Sequence, residues 1–222
     1  MRREALIVLV GITAGRHDRR HVMRFFSDNS DYAVFVPPLH YRAGMRACAD
    51  WLREYLDVTL NPSRFSAVHA IAYIAGGMLL RCLERDSLPV FERLVQFRGP
   101  YQERVAAAAV HRLGRMVTGW LGGRSALDMA EGWPQALPQP RCARRQGLII
   151  ELGPSRMARL LGVKQVDAEA WQPECLLPGA ADVLRIPESH DQVYRAEPVL
   201  AAALRFIRAG HFGPPVNCGE QG

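Results

Sequence analysis

The chain contains 222 residues, of which 49% are hydrophobic and 23% are charged, and 28 lysines and arginines against 22 aspartates and glutamates give a formal net charge of +6. This length and composition are typical of one soluble globular domain with a continuous core, so we predict a single domain over residues 1–222. The basic residues are spread along the chain without interleaved aromatic residues, which argues against a nucleic-acid partner, and no apolar run approaches the ~20 residues of a membrane span.

The cysteines and the N-terminal segment indicate where the chain is expected to act. There are five cysteines, and they show neither a Cys-x-x-Cys pair nor a His-Cys spacing suited to zinc. We therefore predict free thiols in a reducing, cytoplasmic compartment and no metal site. We also expect no cofactor. The apolar run that follows residues 1–4 resembles a short secretory signal. However, Glu4 interrupts the basic leader and no small-x-small cleavage pattern precedes Arg16, which favours a core strand.

Short apolar runs alternate with amphipathic segments along the chain. We predict strands at residues 5–10, 32–36, 66–72, 93–97, 147–152 and 182–187. This alternation is typical of an α/β protein whose central sheet, mainly parallel and of about six strands, carries helices on both faces.

The predicted helices lie between these strands. Residues 43–57 carry an apolar stripe at spacings of three and four, residues 76–83 are apolar almost all round, and the last helix is punctuated by Pro198 near its start and Gly210 just past its end. The segment at about 101–146 is helical at first and then rich in glycine and proline, and we interpret it as a small cap inserted between two strands.

The most informative stretch is residues 66–80, SAVHAIAYIAGGMLL. An apolar strand runs into small residues and then a helix, as in the G-x-S-x-G elbow that carries a hydrolase nucleophile on a tight turn. The slots of that elbow read Ala72, Tyr73, Ile74, Ala75 and Gly76, so an isoleucine stands where the serine is expected. Isoleucine has no lone pair and no acidic proton, and it cannot attack a carbonyl carbon.

Two further segments fall in the order that a hydrolase of this type needs. The turn GITAG at residues 11–15 follows the first predicted strand, and residues 182–212 give a strand, a loop with His190, and a helix that ends in a Phe-x-x-x-Gly-x-Phe pattern. With the elbow, these segments resemble bacterial lipase- and esterase-like members of the α/β-hydrolase family. In that family the first turn carries a His-Gly motif, of which this chain keeps Gly11 but has Val10 in place of the histidine.

The resemblance implies a role for each matched position. His190 matches the catalytic histidine, and Asp167, before a Leu-Pro-Gly similar to the family's own, matches the triad acid. The backbone amides of Ile12 and Ala75 match the oxyanion hole, and Tyr73 is expected to contact a ligand or to plug the cleft. Asp128 and Asp182 are weaker candidates for the acid.

Three functions remain open at this stage. The first is a non-hydrolytic pseudoenzyme that binds a small apolar ligand or a partner protein through the old cleft. The second is an enzyme of another class, such as a lyase, cyclase or cofactor-free oxygenase, that uses His190 and Asp167 as an acid–base dyad. The third is a residual esterase with an unorthodox nucleophile. An open cleft that His190 faces favours chemistry, and a filled cleft favours a scaffold.

Overall fold

A computed structural model describes residues 3–83, 91–132, 142–163 and 166–213. Its centre is a single sheet of six strands in the order β2-β1-β3-β4-β5-β6, in which every neighbouring pair is parallel. The strands are β1 (Ala5–Leu9), β2 (Ala33–Phe35), β3 (Val68–Ala72), β4 (Phe91–Arg98), β5 (Ala143–Gly153) and β6 (Asp182–Ser189). All six predicted strands are confirmed, with shifts of a few residues at their ends.

Helices connect the strands as the α/β prediction requires. They are α1 (Arg16–Asp28), α2 (Met45–Glu54), α3 (Ile74–Cys82), α4 (Pro100–Ala130), α5 (Arg156–Leu160), α6 (Pro173–Leu176) and α7 (Glu197–Ala209). The predicted helix at 43–57 is α2, which continues into a π-helical turn, Tyr55–Leu60. The last helix begins and ends where Pro198 and Gly210 predict.

The side chains of β1 alternate between two cores because successive residues of a strand point to opposite faces. Ala5, Ile7 and Leu9 belong to a buried cluster with residues of α2 and α3, whereas Leu6 and Val8 belong to a second cluster with residues of α1 and α7. Helices therefore cover both faces of the sheet, and the predicted fold class is confirmed.

The turn between β3 and α3 brings the helix very close to the neighbouring strand. A Cβ atom added at Gly76 would lie 2.4 Å from the backbone oxygen of Leu9. The small residue in the predicted elbow is therefore required here, because any side chain would push α3 away from β1. This close approach fixes where the first turn of α3 stands at the edge of the sheet.

Between β4 and β5 the chain forms α4, which we call the cap segment. Its helical course is interrupted at Gly114 (φ 80°) and at Gly123 (φ 72°), and both glycines adopt the left-handed region that other residues disfavour. A Cβ atom on Gly123 would lie 2.5 Å from Cα of Arg42, so the second interruption is also a point of close packing. Residues 133–141 of the predicted cap lie outside the described residues, and from Ala143 the chain is already β5.

None of the helices in the described ranges combines the length and the apolar character that crossing a bilayer requires.

Candidate functional site

The candidate site lies where the carboxyl ends of four parallel strands meet. β1 leads into Gly11 and Ile12, β3 into Ile74, β5 ends beside Glu151, and β6 leads into His190. The chain leaves β1 for β2 on one side and returns to β3 on the other side. Ligands of open α/β sheets bind outside the strand ends at such a switch point.

Ile74 is the first residue of α3 and is buried. The residue before it, Tyr73, has an extended backbone, so the chain turns from strand to helix within one residue, as the predicted elbow requires. Ala75 follows in the first helical turn, where a backbone N–H has no acceptor within its own helix. The backbone N–H of Ala75 is therefore suited to donate a hydrogen bond to a ligand oxygen. Ile74, the residue before it, supplies no nucleophile.

His190 is buried and is held by a buried carboxylate, that of Glu151. Its Nδ1 atom lies 3.2 Å and 3.1 Å from the two carboxylate oxygens, so an Nδ1–H group donates to both. Glu151 itself is almost completely enclosed. A carboxylate with this little exposure is tolerated only when it is paired, and His190 is that partner.

The pKa of His190 reflects both its burial and its partner. Burial disfavours the charged imidazolium and by itself lowers the pKa, but the charge of Glu151, its hydrogen bond and the charge of Asp191 together outweigh this effect. The pKa of His190 is therefore raised above its ordinary value. An imidazolium formed at His190 is stabilised by Glu151, as a proton acceptor in catalysis requires.

Asp167, the acid predicted from the resemblance, lies elsewhere. Its side chain is 80% exposed and accepts a hydrogen bond of 2.7 Å from Arg104, whose charge and hydrogen bond lower the pKa of the carboxyl. The expectation that Asp167 orients His190 is corrected by this geometry: the carboxylate on His190 is that of Glu151. The two weaker candidates for the triad acid also bind other groups. Asp128 accepts a hydrogen bond from the backbone N–H of Met45, and Asp182 accepts one from the backbone N–H of Phe212.

A signal for Glu151 was present in the sequence. It is an acidic residue at the end of the apolar run Leu148, Ile149, Ile150, inside a predicted buried strand. Acidic residues are almost never fully buried unless they are paired, so such a position calls for a partner. Its chain order, after the nucleophile position and before the histidine, is that of α/β-hydrolases. The family resemblance around Asp167 favours that residue instead.

Tyr73 does not lie in the cleft, which corrects the expectation that it contacts a ligand or plugs the cleft. Strand alternation turns its side chain to the face covered by α1 and α7, where its ring stacks between Phe97 at 4.3 Å and Tyr194 at 4.4 Å between ring centroids. Tyr194 also contacts the first turn, since its hydroxyl accepts the N–H of Gly11 at 3.0 Å. The tyrosines therefore support the site from behind and leave its front open.

A cavity of about 300 Å³ opens in front of these residues. Ile12, Ile74, Ala75 and His190 line it on the side of the sheet, and mostly apolar side chains of the cap segment line it on the other side. The structure thus brings together four of the six residues predicted for the site. A second cavity of about 620 Å³ is lined mainly by charged and polar side chains, and Thr13 lines both cavities.

The apolar cavity also contains polar groups without partners. Within the described residues, the side-chain nitrogen of Gln102 and the hydroxyl of Thr118 are buried and form no hydrogen bond. Burying such groups without partners costs free energy, which a ligand with matching polar atoms would recover. Across the described ranges no three His, Cys, Asp or Glu side chains are grouped in a way that could hold a metal ion.

Comparison with known proteins places this geometry in a fold class. No protein-family model matches the sequence, and no curated protein sequence matches it. Solved structures do match: the lipase BlEst2 of Bacillus licheniformis (TM-score 0.60, 14% identity, covering 93% of this chain and 91% of that chain), and MGS-MChE2, an α/β-hydrolase enzyme from the metagenome of lagoon sediments of Mar Chica, Morocco (0.56, 17%, 94% and 92%).

The thioesterase domain of NocB from the nocardicin cluster is a third match, with a TM-score of 0.56 and 12% identity over 93% of this chain and 94% of that chain. The chain therefore has the α/β-hydrolase fold. At identities this low the similarity establishes the fold alone, so any function must be argued from the site itself.

The substitution Glu151→Gln is expected to lower the pKa of His190, because the amide keeps the shape of the carboxylate but removes the charge that opposes the effect of burial. An NMR titration of the His190 ring measures this change. Asp167→Asn is the matched control, since the structure places that carboxylate on Arg104. A pKa of His190 that responds to Asp167→Asn and not to Glu151→Gln contradicts the pairing.

The same pairing predicts a pH dependence of stability. Because the pKa of His190 is higher in the folded chain, the linked stabilisation is fully present below the unfolded value of about 6.5 and is lost as the pH rises through the folded value. The difference in the free energy of unfolding between the parent and Glu151→Gln should therefore shrink as the pH rises through that range.

Proposed function

We propose that this protein is a non-hydrolytic α/β-hydrolase-fold protein that binds a small, mainly apolar ligand in the cavity beside His190. One observation carries the proposal: the cavity of about 300 Å³ is open between Ile12, Ile74 and His190, although the nucleophile position is apolar. This volume is at the lower end of ordinary ligand pockets, so the ligand is small. The polar groups of Gln102 and Thr118 favour a ligand that also carries an acceptor oxygen.

The surroundings of His190 support a function without covalent ester hydrolysis. A serine or threonine nucleophile must lie within hydrogen-bond reach of its base. Within the described residues no hydroxyl is hydrogen-bonded to His190, and Ile74 stands where the nucleophile would be. The solved structures named above include a lipase and a thioesterase domain, and this chain has kept their fold without a visible reagent for such reactions.

The ligand proposal is tested with a neutral apolar fluorophore, N-phenyl-1-naphthylamine. We expect its fluorescence to rise on binding, and we expect Ala109→Trp to weaken binding by about tenfold or more because the indole occupies cavity volume. Ala107→Trp is the matched control, since Ala107 is an exposed residue of the same helix and does not line the cavity. Equal binding by the parent and both variants places the fluorophore elsewhere and overturns the proposal.

The missing nucleophile gives a gain-of-function prediction. Ile74→Ser should allow labelling by a fluorophosphonate probe, which the parent does not show, because the histidine, its carboxylate and the cavity are already in place. Ile74→Val is the apolar control and should remain unlabelled. Adding Glu151→Gln to Ile74→Ser should slow labelling by about tenfold or more. Labelling of the parent at a rate equal to that of Ile74→Ser contradicts the proposal.

Removing a buried isoleucine side chain destabilises a core by roughly 2–4 kcal/mol, so circular dichroism must show that Ile74→Ser is folded before a negative result is interpreted.

A second candidate function, an acid–base enzyme, is favoured by the buried His190–Glu151 pair and by the open cavity that His190 lines. An acid–base enzyme needs no serine: the free ring nitrogen of His190 takes a proton from a carbon next to a carbonyl group, and the carbonyl becomes an enolate. The amides of Ile12 and Ala75 hold the enolate oxygen. The electrons then return and expel a leaving group on the next carbon, and that group takes the proton from His190. These steps together are a lyase reaction, in which protons and electrons balance without a cofactor.

This second candidate predicts that the protein transforms a compound that it binds. A mixed extract of small metabolites is incubated with the parent or with His190→Gln and compared by mass spectrometry. We expect at least one compound to be consumed, and one or two products to appear, with the parent alone. Identical profiles with both proteins contradict the acid–base candidate and leave the binding proposal intact, because fluorophore binding does not need His190 to carry a proton.

A further inference from the structure

The cap segment and the neighbouring α5 expose apolar side chains that would ordinarily be buried. Met116 is 89% exposed, Trp120 is 74% exposed and Leu160 is 77% exposed. Together with four less exposed neighbours they form what we call the cap patch: Leu113, Met116, Val117, Trp120, Leu121, Met157 and Leu160. Apolar side chains of this size, gathered on one surface, mark an interaction site.

The members of the patch belong to one surface. Leu113, Leu121 and Met157 line the same cavity, so they surround a common opening although they come from α4 and α5. The end of α5 also lies against the cap segment, because a Cβ atom on Gly162 would meet the guanidinium of Arg112 at 2.7 Å. The patch therefore rims the cavity of the candidate site.

Basic side chains outnumber acidic ones beside the patch, and Arg156 and Arg159 also line the second cavity, together with Asp18, Glu188 and Asp191. Residues 104–127 contain four arginines and one histidine and neither aspartate nor glutamate, and α5 adds Arg156 and Arg159. Arg115 pairs with Glu131, and Arg124 pairs with Asp128 and Glu131, so their charges are largely compensated. Within the described residues no ion pair involves Arg112, Arg156 or Arg159. These three leave a positive border beside the apolar side chains.

We propose that the cap patch docks the protein onto an anionic lipid surface. A helix with tryptophan and other apolar residues on one side and arginines beside them is suited to lie at a lipid headgroup boundary. The indole of Trp120 matches this place, since its ring is apolar and its N–H remains able to meet water or a headgroup. The unpaired arginines are attracted to the negative charge of the lipid headgroups.

Charge also decides against a second copy of the chain as the occupant. Two cap patches facing each other would bring the positive borders together, and like charges at a close interface are unfavourable. Met116 and Trp120 project from the surface, so they are placed to enter a soft lipid phase. The lipid surface is therefore the occupant that fits both the apolar and the charged parts of the patch.

Docking in this orientation turns the cavity opening towards the lipid. This consequence rests on the proposed ligand-binding function: a compound dissolved in the membrane would enter between Leu113, Leu121 and Met157. Lipid binding itself does not depend on that function, because the most exposed members of the patch, Met116 and Trp120, do not line the cavity. A failure of one proposal is thus distinguishable from a failure of the other.

The test is co-sedimentation of the full chain with phosphatidylcholine vesicles, with or without phosphatidylglycerol. We expect binding to the anionic vesicles, a blue shift of tryptophan emission, and at least ~10-fold weaker binding by Met116→Ser/Trp120→Ser. Val58→Ser is the matched control, because Val58 is 72% exposed and lies outside the patch; its binding should equal that of the parent. Arg112→Gln/Arg159→Gln should weaken binding to the anionic vesicles roughly 10-fold and reduce its sensitivity to salt.

The proposal is overturned if the parent does not bind anionic vesicles, or if Met116→Ser/Trp120→Ser binds them as well as Val58→Ser does. It is also overturned if sedimentation velocity shows a dimer that Met116→Ser/Trp120→Ser abolishes while vesicles are not bound, since the patch would then be a protein interface. Circular dichroism checks that each variant remains folded, as the exposure of the substituted side chains predicts.

Discussion

The parallel direction of all six strands is the constraint on which the site depends. In a parallel sheet every strand ends at the same edge, so residues far apart in the sequence meet there without any direct connection. Gly11, Ile74, Glu151 and His190 each follow or end a different strand, and they come together only because those strands run the same way. The tight approach of α3 to β1 at Gly76 then sets where Ile74 stands.

The buried His190–Glu151 pair is the second organising feature. Taking a carboxylate and an imidazole out of water is costly, and a fold without a use for the pair is often more stable with well-packed apolar residues in its place. Residue 74 of this site is an apolar isoleucine, whereas the pair behind it is polar and ionisable. The apolar side chain at residue 74 excludes an acyl-enzyme there, and the polar pair is the feature that favours the acid–base enzyme as a second candidate.

The cap segment connects the cavity to the surface. Its two left-handed glycines divide α4 into helical parts, and the middle part carries Met116 and Trp120 outwards while Leu113 and Leu121 border the cavity. Two hydrogen bonds hold this segment against the chain at the start of α2. Asp128 accepts from the backbone N–H of Met45, and Arg42 donates to the backbone carbonyl of Trp120. The same short stretch therefore closes the cavity on one side and presents an apolar, positively bordered face on the other.

The sequence by itself determined the fold and predicted four residues that the structure brings together at one cavity. Apolar runs, small residues at the turn and the punctuation of α7 are local signals that predict the six strands and the turn at Ile74, whereas Ile12, Ala75 and His190 were predicted from the resemblance to α/β-hydrolases. The partner of His190 could not, because a hydrogen bond across 39 positions depends on which strands are neighbours. Only the tertiary structure placed Glu151 on His190, Asp167 on Arg104 and Tyr73 on the far face. It decided these points because strand order and register, which no local pattern specifies, set the distances between side chains.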